Sequence, residues 1–163
     1  MNFESPFSNA NFNNLKPGDF FLHPLAGGHS PAIKVVRADK VETAVDLNLE
    51  QQDQSRLPTL MEPDAFQDLT VIAVKAAVIR PKPGLLSIKN GAGAGSIDRA
   101  DLVMLPTGTL IKVRGPSIST LAFDVVTGHQ ASDPNSAQCL WTTEWQILIR
   151  EGEKELVIFE RKS

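Results

Sequence analysis

Short runs of alternating apolar and polar residues dominate this chain. In "TAVDLNL", Val45, Leu47 and Leu49 alternate with Ala44, Asp46 and Asn48, and Leu121, Phe123 and Val125 do the same in "LAFDVV". A period of two is the mark of a half-buried strand. "TVIAVKAAVI" puts Ile72, Val74, Ala76 and Val78 on one face and Lys75 on the other. "WQILIREGEKELVIFE" predicts a hairpin around Glu151-Gly152-Glu153-Lys154, with Trp145, Ile147 and Ile149 on one face of its first strand. Long helical periodicity is absent, and only "MEPDAFQDL" predicts a helical turn, with Asp64 early and Phe66 facing inward.

The pattern repeats along the chain. Without a gap, Ile33, Lys34, Val35, Ala44 and Asp46 of "AIKVVRADKVETAVDL" meet Ile111, Lys112, Val113, Ala122 and Asp124 of "LIKVRGPSISTLAFDV". Upstream, "LKPGDFFLHP" matches "IDRADLVMLP", with Asp19 meeting Asp101 and Pro24 meeting Pro106. Downstream, "VIRPKPGLLSIK" parallels "LIREGEKELVIFE" as a strand, a turn and a strand. Self-similarity of this kind predicts a tandem architecture. The first unit is expected over 12–89, a Gly/Ala-rich joint over 90–96, and the second unit over 97–161.

Strands are expected near 19–23, 31–37, 42–49, 70–80 and 85–89, then near 101–105, 109–114, 120–126, 145–150 and 155–161. Many short strands with frequent turns suggest closed sheets without edges. The predicted class is all-β with little helix, as two five-stranded SH3-like or OB-like barrels. One joint barrel or sandwich is the second choice. "NGAGAGS" is then a connection between units and not a phosphate-binding loop, since its spacing is G-x-G-x-G and no helix pattern follows. The long polar links 50–69 and 127–144 are the recognition surface suggested by position.

Composition narrows the function classes. With 16 basic and 19 acidic residues among 163, the net charge of −3 argues against broad attraction to nucleic acid or anionic lipid. Lys75, Arg80, Lys82, Lys89 and Arg99 cluster against Asp98, but no stacking aromatic is interleaved with them. No apolar run reaches the roughly 20 residues that span a bilayer. The single cysteine, Cys139, excludes an intramolecular disulfide, and the N-terminus carries no signal-like pattern, so a cytoplasmic location is expected.

No catalytic signature stands out. Lys34 with Asp46, and Lys112 with Asp124, are expected to lie on one face and to pair at the surface, fixing strand register. His23, His29 and His129 sit in loops without the companion ligands of a zinc site, so no metal and no cofactor are expected. Cys139, beside Leu140 and Trp141, reads as an apolar position and not as an activated thiolate. Glu62, Asp64 and Asp68 read as solvated carboxylates. Trp141, Trp145 and Phe66 are expected in core packing, or as anchors between units or chains. The resulting expectation is a non-catalytic binding or assembly module with a protein partner or a second copy of itself. The alternative is a small-molecule-binding protein or enzyme with a pocket between the units, in which His23, His29 and Lys34 deserve first scrutiny.

Overall fold

A computed structural model of the chain describes residues 5–50, 56–84, 87–89, 101–132, 139–151 and 154–161. Its described residues form fifteen strands and three short 3-10 turns, with no α-helix. The strands of the N-terminal half are β1 (Phe7–Asn11), β2 (Phe20–Leu25), β3 (Gly28–Val36), β4 (Glu42–Glu50), β5 (Arg56–Leu60), β6 (Thr70–Val74) and β7 (Ala77–Pro81). They are followed by β8 (Ser87–Lys89), β9 (Leu102–Leu105), β10 (Gly108–Arg114), β11 (Thr120–Asp124) and β12 (Gln130–Ala131). β13 (Cys139–Thr142), β14 (Trp145–Glu151) and β15 (Lys154–Arg161) complete the chain. The expected all-β class is observed, and the turn at Pro63–Ala65 carries Asp64 early and buries Phe66, as the local sequence predicts.

Two sheets result, and neither closes into a barrel. The larger runs β1-β6-β2-β3-β4-β5-β10-β9-β13-β8, with β11 and β12 branching from β10; the smaller is β15-β14-β7. The two closed barrels expected from the strand pattern do not form because the halves share strands. β5 meets β10 of the other half, and β7 leaves its own half to pair with β14. The switch lies at Lys75-Ala76, where "TVIAVKAAVI" does not run as one strand. Ala76 adopts φ 55, a left-handed turn that ends β6 and redirects β7. Val78, expected to share a face with Val74, is therefore 37% exposed, while Val71 and Val74 are buried. Ser87–Lys89, expected to close the first unit, pairs instead with β13. The 90–96 joint and Arg99 lie outside the described residues, as do 51–55 and 133–138 of the two long links.

Register recurs between the halves. Lys34 faces Ala44 and Ala32 faces Asp46 in β3/β4, while Lys112 faces Ala122 and Leu110 faces Asp124 in β10/β11. Phe20 faces Ile33 as Leu102 faces Ile111. Ser8 opposes Ala73 as Ser87 opposes Trp141. Two parallel bridges cross between the halves reciprocally, Val36 with His129 and Arg114 with Thr59. In the β7/β14 ladder, Ile79 faces Ile147.

The main core is drawn from both halves and both sheets. Phe20, Ile33, Val35, Val45 and Leu47 meet Leu102, Ile111, Val113 and Phe123, with Trp145, Ile147 and Ile149 from β14. Full burial of such side chains stabilises by about 1.5–3 kcal/mol each, so the halves are held as one unit. The opposite face of β2–β4 carries a second cluster of Phe12, Leu15, Phe21, Ala32, Ala44, Phe66 and Val71. A backbone seam joins the halves beside it. Val36 N–H donates across the seam to Gly128 O at 2.9 Å, and on the N-terminal side Gly18 N–H donates to Lys34 O at 2.8 Å. Gly18 and Gly128 both have positive φ, 90 and 70, which admits the close approach.

Candidate functional site

The residues singled out for chemistry lie on the covered face of β2–β4. Alternation puts Phe21 and His23 of β2, Ser30, Ala32 and Lys34 of β3, and Glu42, Ala44 and Asp46 of β4 on that face. Lys34 and Asp46 thus share a face as expected, but they are neither exposed nor paired with each other. Lys34 is 1% exposed and Asp46 fully buried. The segment 12–15 and Phe66 fold over this face, which strand alternation alone does not reveal.

Lys34 is satisfied from several sides. Its Nζ lies 2.7 Å from Glu42 Oε2, donates to Leu15 O at 2.9 Å and Phe12 O at 3.4 Å, and sits 4.9 Å from the centre of the Phe12 ring. Such a cation ties the 12–15 segment onto the sheet. It offers no reactive amine, because its charge and protons are engaged by the fold.

Asp46 joins His23 and Ser30. His23 Nε2 lies 2.8 Å from Asp46 Oδ2, Ser30 Oγ donates to Oδ1 at 2.7 Å, and Asn48 N–H donates to the same oxygen at 2.8 Å. Ser, His and Asp are present, yet the order is wrong for a nucleophile. A catalytic triad needs histidine between hydroxyl and carboxylate, and here the carboxylate is in the middle. His23, expected in a loop, is a buried strand residue whose ring stands edge-on to Phe66, 5.1 Å between centres. The cluster therefore works as a buried polar staple. Replacing Asp46 with alanine strands two buried donors and should cost about 3 kcal/mol, whereas Ser30→Ala should cost about 1 kcal/mol. Urea denaturation of the two variants checks this ranking, and near-equal losses would contradict it.

The remaining candidates are dispersed. Asp124 holds the equivalent ladder position but caps a turn, its Oδ1 accepting from Val126 N, Thr127 N and Thr127 Oγ1. Lys112 is buried. His29 is exposed in β3, and His129 is exposed where it bridges Val36. Among the described residues no three His, Cys, Asp or Glu side chains gather as a metal-binding group. Cys139 is buried in a third apolar cluster with Val103, Leu110 and Ala122. Trp145 packs in the main core against Phe159, Phe66 in the second cluster, and Trp141 is half-buried in β13, so the three do not form one anchor. Of the basic stretch, Arg80 pairs with Glu155 at 2.7 Å and Lys82 with Glu144 and Glu160. Hydrogen bonds that its ammonium donates to Glu160, then to Glu144, hold Lys82 above its usual range. No helix among the described residues is long and apolar enough to cross a membrane.

What the tertiary structure adds is a groove that no motif signalled. The turn after β3 and the turn after β10 come together there, and Arg37, Ala38, Asp39, Pro116, Ser119, Leu121 and Gln130 line an open recess of about 340 Å³. Each turn is braced internally, by Arg37 N–H to Val41 O at 3.0 Å and by Gly115 N–H to Ser119 O at 2.8 Å. Gln130 ties the two sides, its Oε1 accepting from Ala38 N at 3.0 Å. Arg37 Nη2 meets Asp39 Oδ2 at 2.8 Å, both partly exposed. The arrangement gives polar groups on one wall and the apolar surfaces of Pro116 and Leu121 on the other. Comparison of the chain with protein-family models, with curated proteins and with solved structures finds no match.

Proposed function

We propose that this chain is an internally duplicated, non-catalytic binding module that takes its ligand in the groove between the two halves. The recurring ladder registers support the duplication. On that basis the turn 37–41 of one half corresponds to the turn 115–119 of the other, and the second unit starts at β8. Recesses at the junction of two structural units are common ligand sites. The observation that carries the reading is that both corresponding turns line this one recess.

The fate of the candidate catalytic groups favours binding over turnover. His23, Asp46 and Ser30 are buried and consumed by one another, and Lys34 is held by Glu42 and two carbonyls. A reaction needs a group that can reach its substrate. Self-assembly through the tryptophans has less support, since Trp145 is fully enclosed.

A mixed library of small fragments, screened against the isotopically labelled full chain by amide chemical shifts, tests the proposal. Perturbations should cluster on Arg37, Ala38, Ser119, Leu121 and Gln130, and should vanish in a folded Leu121→Arg variant. Shifts that scatter elsewhere, or survive that substitution, would refute it.

A further inference from the structure

We infer that the groove selects a small monoanion with an apolar body, with an aliphatic monocarboxylate as the chemical type. This rests on the groove being the binding site. The two walls, although formed by corresponding turns, carry different chemistry. The first reads "RADKV", with Arg37 and Lys40 against the single acid Asp39; the second reads "GPSIS" and carries no charge. The first turn thus carries one net positive charge and the second none; Arg37 and Asp39, paired with each other, are the charged residues of the recess lining, and Pro116 and Leu121 supply apolar surface opposite them.

Arg37 is the group suited to a carboxylate. A guanidinium matches a carboxylate bidentately, and the pair Arg37–Asp39 shows that a carboxylate oxygen already reaches this one at 2.8 Å. The Asp39 side chain is about half exposed, 49%, and that of Arg37 less so, 32%. Exposed pairs of this kind are weak and exchangeable, so Asp39 acts as an internal occupant that an incoming carboxylate displaces. The amide of Gln130 accepts from Ala38 through its oxygen, which leaves the donor end of the same group as the second polar feature of the recess. At about 340 Å³ the groove lies at the low end of small-molecule sites, roughly 300–1,000 Å³. An acyl chain, and not a nucleotide, fits that scale.

Four probes separate charge from apolar surface: hexanoate, hexylammonium, hexanol and acetate, titrated into the full-length labelled protein and followed at the Ala38, Ser119 and Leu121 amides. Hexanoate should bind tightest, acetate and hexanol at least about tenfold more weakly, and hexylammonium not measurably. Arg37→Gln should weaken hexanoate by about tenfold or more, while Asp39→Asn should strengthen it by removing the competing carboxylate. A merely structural role for the Arg37–Asp39 pair predicts weakening in both variants. Thermal melts verify that both remain folded. Preference for hexylammonium, or weaker hexanoate binding in Asp39→Asn, would overturn the anion inference while leaving the groove as the site. Fragments that bind the groove with no response to hexanoate would overturn it too. No groove response to any compound would instead refute the binding reading on which it rests.

Discussion

Gly128→Ala should be among the most damaging single substitutions in this protein, destabilising it by about 4 kcal/mol or more. A Cβ on Gly128 would lie 2.3 Å from Gly18 N and 2.7 Å from Lys34 O. Both are backbone atoms in the seam between the halves, so no side-chain rotamer can relieve the contact. The left-handed φ of 70 adds roughly 1–2 kcal/mol for any L-residue. Gly18→Ala should act in the same way, because its Cβ would meet Val126 O at 2.1 Å. Gly27→Ala is the control: φ is positive there too, at 96, but nothing lies within 4 Å. Its loss should be only about 1–2 kcal/mol, from the backbone conformation alone. Urea melts of the three variants make the comparison. Equal losses at Gly27 and Gly128 would mean that the halves do not meet as closely as described, and that the groove beside them is not held rigidly.

The second large effect is expected at Lys34. Lys34→Ala removes the ammonium that binds Leu15 O, Phe12 O and Glu42, together with its contact to the Phe12 ring. Leu15 O loses its ammonium donor, Phe12 O keeps only the Leu15 N–H, and a void opens beneath Phe12, for a combined cost of about 3–4 kcal/mol. Lys34→Met refills most of that volume and should recover about 1 kcal/mol, leaving the lost ammonium bonds, chiefly that to Leu15 O, as the larger part. Stability curves for the pair separate packing from hydrogen bonding. Hydrogen exchange adds a spatial readout: protection of the amides at Phe12 and Leu15 should fall first, since Lys34 fastens that segment to β3. If protection fell evenly throughout the chain, Lys34 would not be a local fastening.

Both sites bear on the groove. Lys34 lies three positions before Arg37 on β3, and Gly128 lies two positions before Gln130, so the seam positions two residues of the recess wall. Binding should thus be sensitive to Gly128 even where no ligand touches it.

Local sequence was sufficient for much of the frame. Alternation in "TAVDLNL" and "LAFDVV" marked β4 and β11, and "WQILIREGEKELVIFE" marked the β14/β15 hairpin. The shared spacing of Lys34 with Asp46 and Lys112 with Asp124 reappears as the same ladder register. These features are legible because strand period and hairpin turns depend on residues near one another in the chain. β1, β5, β12 and β13 were missed, since they are short and weakly alternating and are stabilised by distant partners.

The sequence by itself determined an all-β chain and, in the strands that alternation marks, such as β4, β11 and β14, which residues share a face. Only the tertiary structure decided what covers each face and where the halves meet. Lys34 and Asp46 read as surface charges until Phe12, Leu15 and Phe66 are folded over them. Ala76 looks like strand until its backbone turns and sends β7 to the other sheet. Arg37 and Leu121 have no relation in the chain until two turns converge. A side chain's direction is a local property of the backbone, whereas its burial, its partners and any recess it lines are set by segments far away in sequence.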